Sequence, residues 1–158
     1  MAMPLYIASN VTPFAATSGA KTVLNMIAGA NQAIYLKSVT IAMDGVTSSA
    51  TPATVDICQS TQAGAGTGTG SPTITQVSGR TLAAQATVAA NFSAEPTALT
   101  TLEKYYVPQF MGFIRYQLPL GDEIESDFSG GTVKAIAVRI NVTANVNVLV
   151  SCNLWLVG

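Results

Sequence analysis

The stretch GDEIESD gathers Asp122, Glu123, Glu125 and Asp127, half of the eight acids in the chain. Carboxylates this close together are the raw material of a calcium site, which takes roughly six to eight oxygens. The spacing matches no EF-hand loop, so the stretch reads as a solvated loop or a docking patch for a basic partner, and no metal is expected. A second stretch, QAGAGTGTGSP (62–72), carries glycines at Gly64, Gly66, Gly68 and Gly70. A phosphate loop would end in Gly-Lys-Ser/Thr and lead into a helix. Neither feature is present, so a flexible inter-strand loop is expected, with no nucleotide or other cofactor. The sequence has no His, which removes the usual general base and the commonest zinc ligand. The acids outside the cluster, Asp44, Asp56, Glu95 and Glu103, show no spacing that pairs them for acid–base work. Catalysis has no visible foothold, and the chain is not expected to be an enzyme.

These residues are set in an unusually neutral chain. Its 158 residues are 49% apolar and only 9% charged, with net charge −1. An average soluble protein is roughly 25% charged. Few charges leave little to oppose association, so much of the surface is expected to be covered by partners. The seven Lys and Arg form no basic stripe, which argues against direct nucleic-acid binding. No segment has the roughly 20 apolar residues needed to span a bilayer as a helix, so no membrane partner is expected. The first dozen residues lack the basic and apolar regions of a secretory signal. Use without export is the expectation.

Two cysteines, Cys58 and Cys152, could pair, but strand parity opposes it. In ATVDICQS, Val55 and Ile57 share one face while Asp56 and Cys58 share the other. Cys152 falls on the face of Val146, Val148, Val150, Leu154 and Leu156. One thiol faces the core and the other faces away from it.

The pattern that must position all of this is β. No window sustains a capped helical stripe; the best, Thr81 to Phe92, fits a loop or short strand equally well. Strand signals recur at 21–29, 33–43, 53–60, 72–79, 100–107, 110–120, 133–142 and 145–157. Turn residues punctuate them, as at Asp44-Gly45, Gly121-Asp122 and Ser129-Gly130-Gly131. About eight antiparallel strands with turns between them predict an all-β sandwich or barrel. The last two segments are expected to form a hairpin through Thr143–Asn145. Its inward face would carry Ile136, Val138, Ile140 and Val142, then Val146 to Leu156 in alternation.

Residues 1–20, with two prolines and no clean period, read as an extended N-terminal arm ahead of a single sandwich domain, 21–158. Leu5, Tyr6, Ile7 and Phe14 on that arm are available to dock on a neighbour or to pack on their own domain. The segment EKYYVPQFMGFIRY adds Tyr105, Tyr106, Phe113 and Arg115. Parity puts Phe113, Arg115 and Gln117 on one face and Ile114, Tyr116 and Leu118 on the other. Aromatic residues and Arg are enriched in interface cores. With the outward-facing Trp155, these nine residues are the candidate interface with a neighbouring subunit or other partner.

Several segments in order resemble a known family. They are LKSVTIAMDGVTSSATPATVDI, a Gly/Thr loop, NFSAEPTAL, YYVPQFMGFIRYQLPLGDEI, and KAIAVRINVTANVNVLVSCNLW. The AEPT element (Ala94–Thr97), the PLG-E element (Pro119–Glu123) and the final AVR-N-TA-VNV run (Ala137–Val148) resemble the jelly-roll decoration, or cement, proteins of tailed-bacteriophage heads. The likeness spans roughly residues 33–157 and leaves out the N-terminal arm and Gln62 to Ser71. It implies a jelly-roll-like β-sandwich, made in the host cytoplasm and placed on the outer surface of the capsid. The partners it implies are the major capsid protein and further copies of the chain, as a trimer. Alternatives are another virion part, such as a head-fibre base or a tail or fibre domain, or a carbohydrate-binding jelly-roll module.

Overall fold

The computed structural model describes residues 3–10, 14–16, 19–45, 51–60, 66–119, 121–127, 134–142 and 148–158. The turns expected at 129–131 and 143–145, positions 61–65 of the glycine-rich stretch, residues 146 and 147, and the side chains of Phe14 and Val148 lie outside them.

Thirteen strands and no helix form among the described residues. They make a β-sandwich of two antiparallel sheets. The first sheet, here sheet A, is built on β1 (Leu5–Ser9), β4 (Ile34–Gly45), β7 (Thr75–Ser78), β10 (Phe113–Gln117) and β13 (Val148–Val157), in the order β10-β4-β13-β1-β7. Two short strands join it: β2 (Phe14–Ala16) beside β13 and β11 (Ile124–Ser126) beside β4. Sheet B holds β3 (Gly19–Ile27), β5 (Ala53–Ser60), β6 (Thr67–Gly70), β8 (Thr87–Ala94), β9 (Leu99–Val107) and β12 (Ala135–Val142), in the order β6-β8-β3-β12-β5-β9. The segment Thr81–Phe92 takes the strand option: it leads into β8.

The alternation read from sequence produces the core. Ile136, Val138, Ile140 and Val142 of β12, Val55 and Ile57 of β5, and Val150, Cys152, Leu154 and Leu156 of β13 all belong to the buried cluster between the sheets. Burying aliphatic side chains of this size stabilises by roughly 1.5–3 kcal/mol each.

One expectation is overturned. β12 and β13 do not form a hairpin: β12 pairs with β3 and β5, while β13 pairs with β4, β1 and β2. Each strand has a continuous apolar inner face, so each can serve as the centre of a separate sheet. Packed in opposite sheets, both strands turn their apolar faces into the one core between the layers. The chain makes the same passage between sheets from β3 to β4, from β4 to β5 and from β9 to β10.

Of the two readings open for the first residues, packing on their own domain holds over Leu5–Ser9. β1 is an internal strand between β13 and β7. Tyr6, 1% exposed, and Ala8 are core residues, and the Tyr6 hydroxyl donates to the Leu82 carbonyl at 2.9 Å. Asn10 extends the tie: its Nδ2 donates to the Val150 carbonyl at 2.8 Å and its Oδ1 accepts from the Cys152 N–H at 2.7 Å. Replacing a buried aromatic by alanine costs about 3–5 kcal/mol. Tyr6→Ala should therefore lower the unfolding free energy by an amount in that range, read from urea titration as a lower midpoint; an unchanged midpoint would mean β1 is dispensable.

Candidate functional site

A sandwich has two outer faces, and this chain treats them differently. On the outer face of sheet B, register brings Asn25, Ala137 and Cys58 side by side, with Thr22, Arg139 and Asp56 as a second row. A solvated sheet face would leave such residues open. Here Thr22, Asn25, Cys58, Ala135 and Ala137 are fully buried.

The cover is the passage from β8 to β9. Both carboxylate oxygens of Glu95 accept from the Thr22 N–H, at 3.0 and 2.9 Å, and Oε2 also accepts from the Thr22 hydroxyl at 2.5 Å. Two residues on, the Thr97 carbonyl accepts from the Ser60 hydroxyl at 3.3 Å. The segment is thus tied to β3 at one end and to β5 at the other, and Pro96 between the ties is buried.

Beside it, Asp56, only 3% exposed, accepts from Arg139 Nη2 at 2.9 Å and faces Lys104 Nζ at 3.7 Å. A buried carboxylate needs such partners. Cys58 lies on this covered face and Cys152 in the core, as parity requires; both are free thiols, and burial pushes the pKa of each up.

The outer face of sheet A has no such cover among the described residues. Across β1, β13, β4 and β10 the register sets Ile7, Trp155, Ser38 and Gln117 in one row, and Ser9, Asn153, Thr40 and Arg115 in the next. Ser151, Ala42 and Phe113 make a third row, with Leu149 opposite Asp44 beyond it. Phe113 is 64% exposed and Leu149 is also exposed, while Leu5, Ile7 and Trp155 are half-buried.

Five of the nine interface candidates therefore share this face: Leu5, Ile7, Phe113, Arg115 and Trp155. Tyr6 is a core residue. Tyr105 packs against the core from the sandwich side, its ring 5.8 Å from that of Tyr116. Burial and then the nearby Glu103 carboxylate raise the pKa of both tyrosines. Tyr106 is 72% exposed near the end of β9, on the edge flank of sheet B and not on the sheet A face.

Sequence reasoning missed the turn that joins this flank to the face. Gln109 is buried and donates to the Thr51 carbonyl at 2.8 Å, and the Gly112 carbonyl accepts from the Met43 N–H at 2.7 Å. A Cβ at Gly112 would lie 1.9 Å from the Pro108 carbonyl oxygen, so only glycine fits. Between these anchors Met111 adopts φ 49° with its side chain 73% exposed. The left-handed conformation disfavours a residue with a Cβ.

The acidic stretch is not a cluster of converging ligands. Glu125 accepts from the Tyr35 hydroxyl at 3.2 Å and Glu123 from the Gly121 N–H at 2.7 Å. The Glu125 charge is the main cause of a raised Tyr35 pKa. Among the described residues, no group of three or more His, Cys, Asp or Glu comes together as a metal site would require.

No family model matches the chain, and no curated protein or solved structure matches it either.

The strain at Met111 gives a direct check on the turn. Asn accepts the left-handed region more readily, so Met111→Asn should raise stability by up to about 1 kcal/mol, measured by urea unfolding. A loss of stability would show that the Met111 side chain packs on its own domain.

Proposed function

We propose that the chain is a structural virion protein of the decoration kind, which binds the outer surface of a phage head and bridges neighbouring capsomers. The observation that carries this reading is the contrast between the two outer faces. One is closed over β3, β12 and β5 by the chain's own Ala94–Thr97 segment, while the other has no such cover among the described residues and holds Phe113, Leu149 and Trp155 among mostly neutral polar side chains. Exposed aromatic and aliphatic side chains grouped on an uncovered sheet face are a surface for a partner. The AEPT element that carries part of the family resemblance acts here as the strap across sheet B.

The mechanism is binding alone. Each copy adds a modest contact, and repetition over a symmetric shell multiplies it. The resemblance adds trimers to this picture. With copies bound at many points, a weak single contact suffices for stable attachment, and holding adjacent capsomers together resists outward pressure.

The test is rebinding of purified protein to heads stripped of it, followed by heating of the decorated heads. Wild-type protein should bind saturably and raise the temperature at which the heads open. Phe113→Asp, which puts a charge at an exposed position with no effect on the core, should reduce binding at least about tenfold, the loss of roughly 1.4 kcal/mol per copy. Wild-type protein that fails to bind heads would sink the reading.

A further inference from the structure

The alternation along β4 breaks once. Ile34 and Leu36 point into the core, and so do Val39, Ile41 and Met43, which leaves Lys37 and Ser38 as consecutive residues off the core. The register records the break as a bulge: Leu156 pairs with Leu36 and Trp155 with Ser38, so Lys37 has no opposite number on β13. Bulges re-aim side chains, and this one brings Lys37 to the edge of an open cavity of about 230 Å3. Its lining is Leu5, Lys37, Ser38, Arg115, Gln117 and Trp155. Among the described residues the cavity therefore holds two cations, two neutral polar side chains, the chain's one Trp and a leucine, and no acid.

Charge accounting makes this unusual. The chain has seven cations in all. Lys104 and Arg139 are committed to Asp56. Lys37 and Arg115, like Lys21, Arg80 and Lys134, have no ion-pair partner among the described residues, and these two share one cavity. In so sparsely charged a protein, two unpaired cations stand in one cavity on the face that Phe113 and Leu149 leave apolar.

We infer that this cavity between Lys37, Arg115 and Trp155 is a docking site for an acidic peptide segment of a protein partner, one that carries an apolar side chain beside its carboxylates. Arg115 offers the forked donors that match a carboxylate, and Lys37 a second point charge. Ser38 and Gln117 add neutral hydrogen-bonding groups, and Trp155 and Leu5 give the apolar side chain a wall. Two cations in an open pocket do not make a nucleic-acid site, since polyanion binding depends on many phosphate contacts along a stripe. The inference rests on the reading of the sheet A face as the partner surface, and it names the chemistry of the segment that this face receives.

Trp155 is the sole tryptophan and lines the cavity, so its fluorescence reports occupancy directly. The experiment titrates the intact protein with a short synthetic peptide that pairs two glutamates with a leucine. Parallel titrations use the same peptide with glutamine for glutamate, and inorganic phosphate. The glutamate peptide should give a saturable change in Trp155 emission that weakens as salt is raised. Arg115→Gln should lower the affinity at least about tenfold, and Lys37→Gln should lower it further when added to Arg115→Gln; both side chains lie on the surface, and circular dichroism checks that the fold is kept. No response to the glutamate peptide would overturn the inference. So would an equal response to the glutamine peptide or to phosphate, or a response unchanged in the double variant.

The same variants on stripped heads separate this inference from the function it rests on. If wild type binds heads and the double variant binds equally well, the pocket is not the docking site and the decoration reading stands. If wild type does not bind heads, the decoration reading fails, and the peptide titration still decides the pocket.

Discussion

A two-layer sandwich buries only the inner face of each sheet, and every other feature of this molecule answers that constraint. The inner faces are met by the alternating aliphatics of β12, β13, β4 and β5. The outer faces must be solvated, covered by the chain itself or covered by something else. With 9% charged residues, the chain lacks the means to solvate both. Sheet B takes the second course, through the Glu95 clamp on Thr22 and the Thr97 tie to Ser60. Sheet A has no such cover among the described residues, which is the ground for proposing it as the partner face.

Covering sheet B has a cost that shows how firmly the strap must be held. Asn25 is buried beneath that face with no hydrogen-bond partner for its side-chain amide among the described residues. A buried polar group without a partner costs about 1–3 kcal/mol. The Asp56–Arg139 pair beside it gains from its hydrogen bond but loses much of its hydration. Neither arrangement stabilises much in isolation. Both are consistent with a face that is closed for good, and they leave sheet A as the face free to meet other molecules.

Much of the fold was legible in the sequence because period-2 alternation reports burial directly. The split of β5 into Val55 and Ile57 against Asp56 and Cys58 was visible, as was the split of β10 into Phe113 and Arg115 against Ile114 and Tyr116. Which sheet a strand joins was not visible. β12 and β13 follow each other and share the same pattern, so the sequence suggests a hairpin, while the choice of opposite sheets depends on contacts with β3, β4 and β5 far away in the chain. Local signals also missed β1, because two prolines and an irregular start hide the alternation of Tyr6 and Ala8. The surface was half legible: the residue types were right for an interface, but only the register showed that Leu5, Ile7, Phe113, Arg115 and Trp155 share a face. The bulge at Lys37 did leave a trace, since the apolar positions 34, 36, 39, 41 and 43 change parity after Leu36.

The most direct measurement of the central claim, that sheet A and not sheet B meets the partner, is hydroxyl-radical footprinting of the protein free and bound to heads. The account predicts that labelling of Phe113, Leu149 and Trp155 falls on binding, while Tyr106, exposed on the edge strand of sheet B, is labelled equally in both states. Unchanged labelling of Phe113 and Trp155 on saturated heads, or protection of Tyr106 in their place, would contradict it.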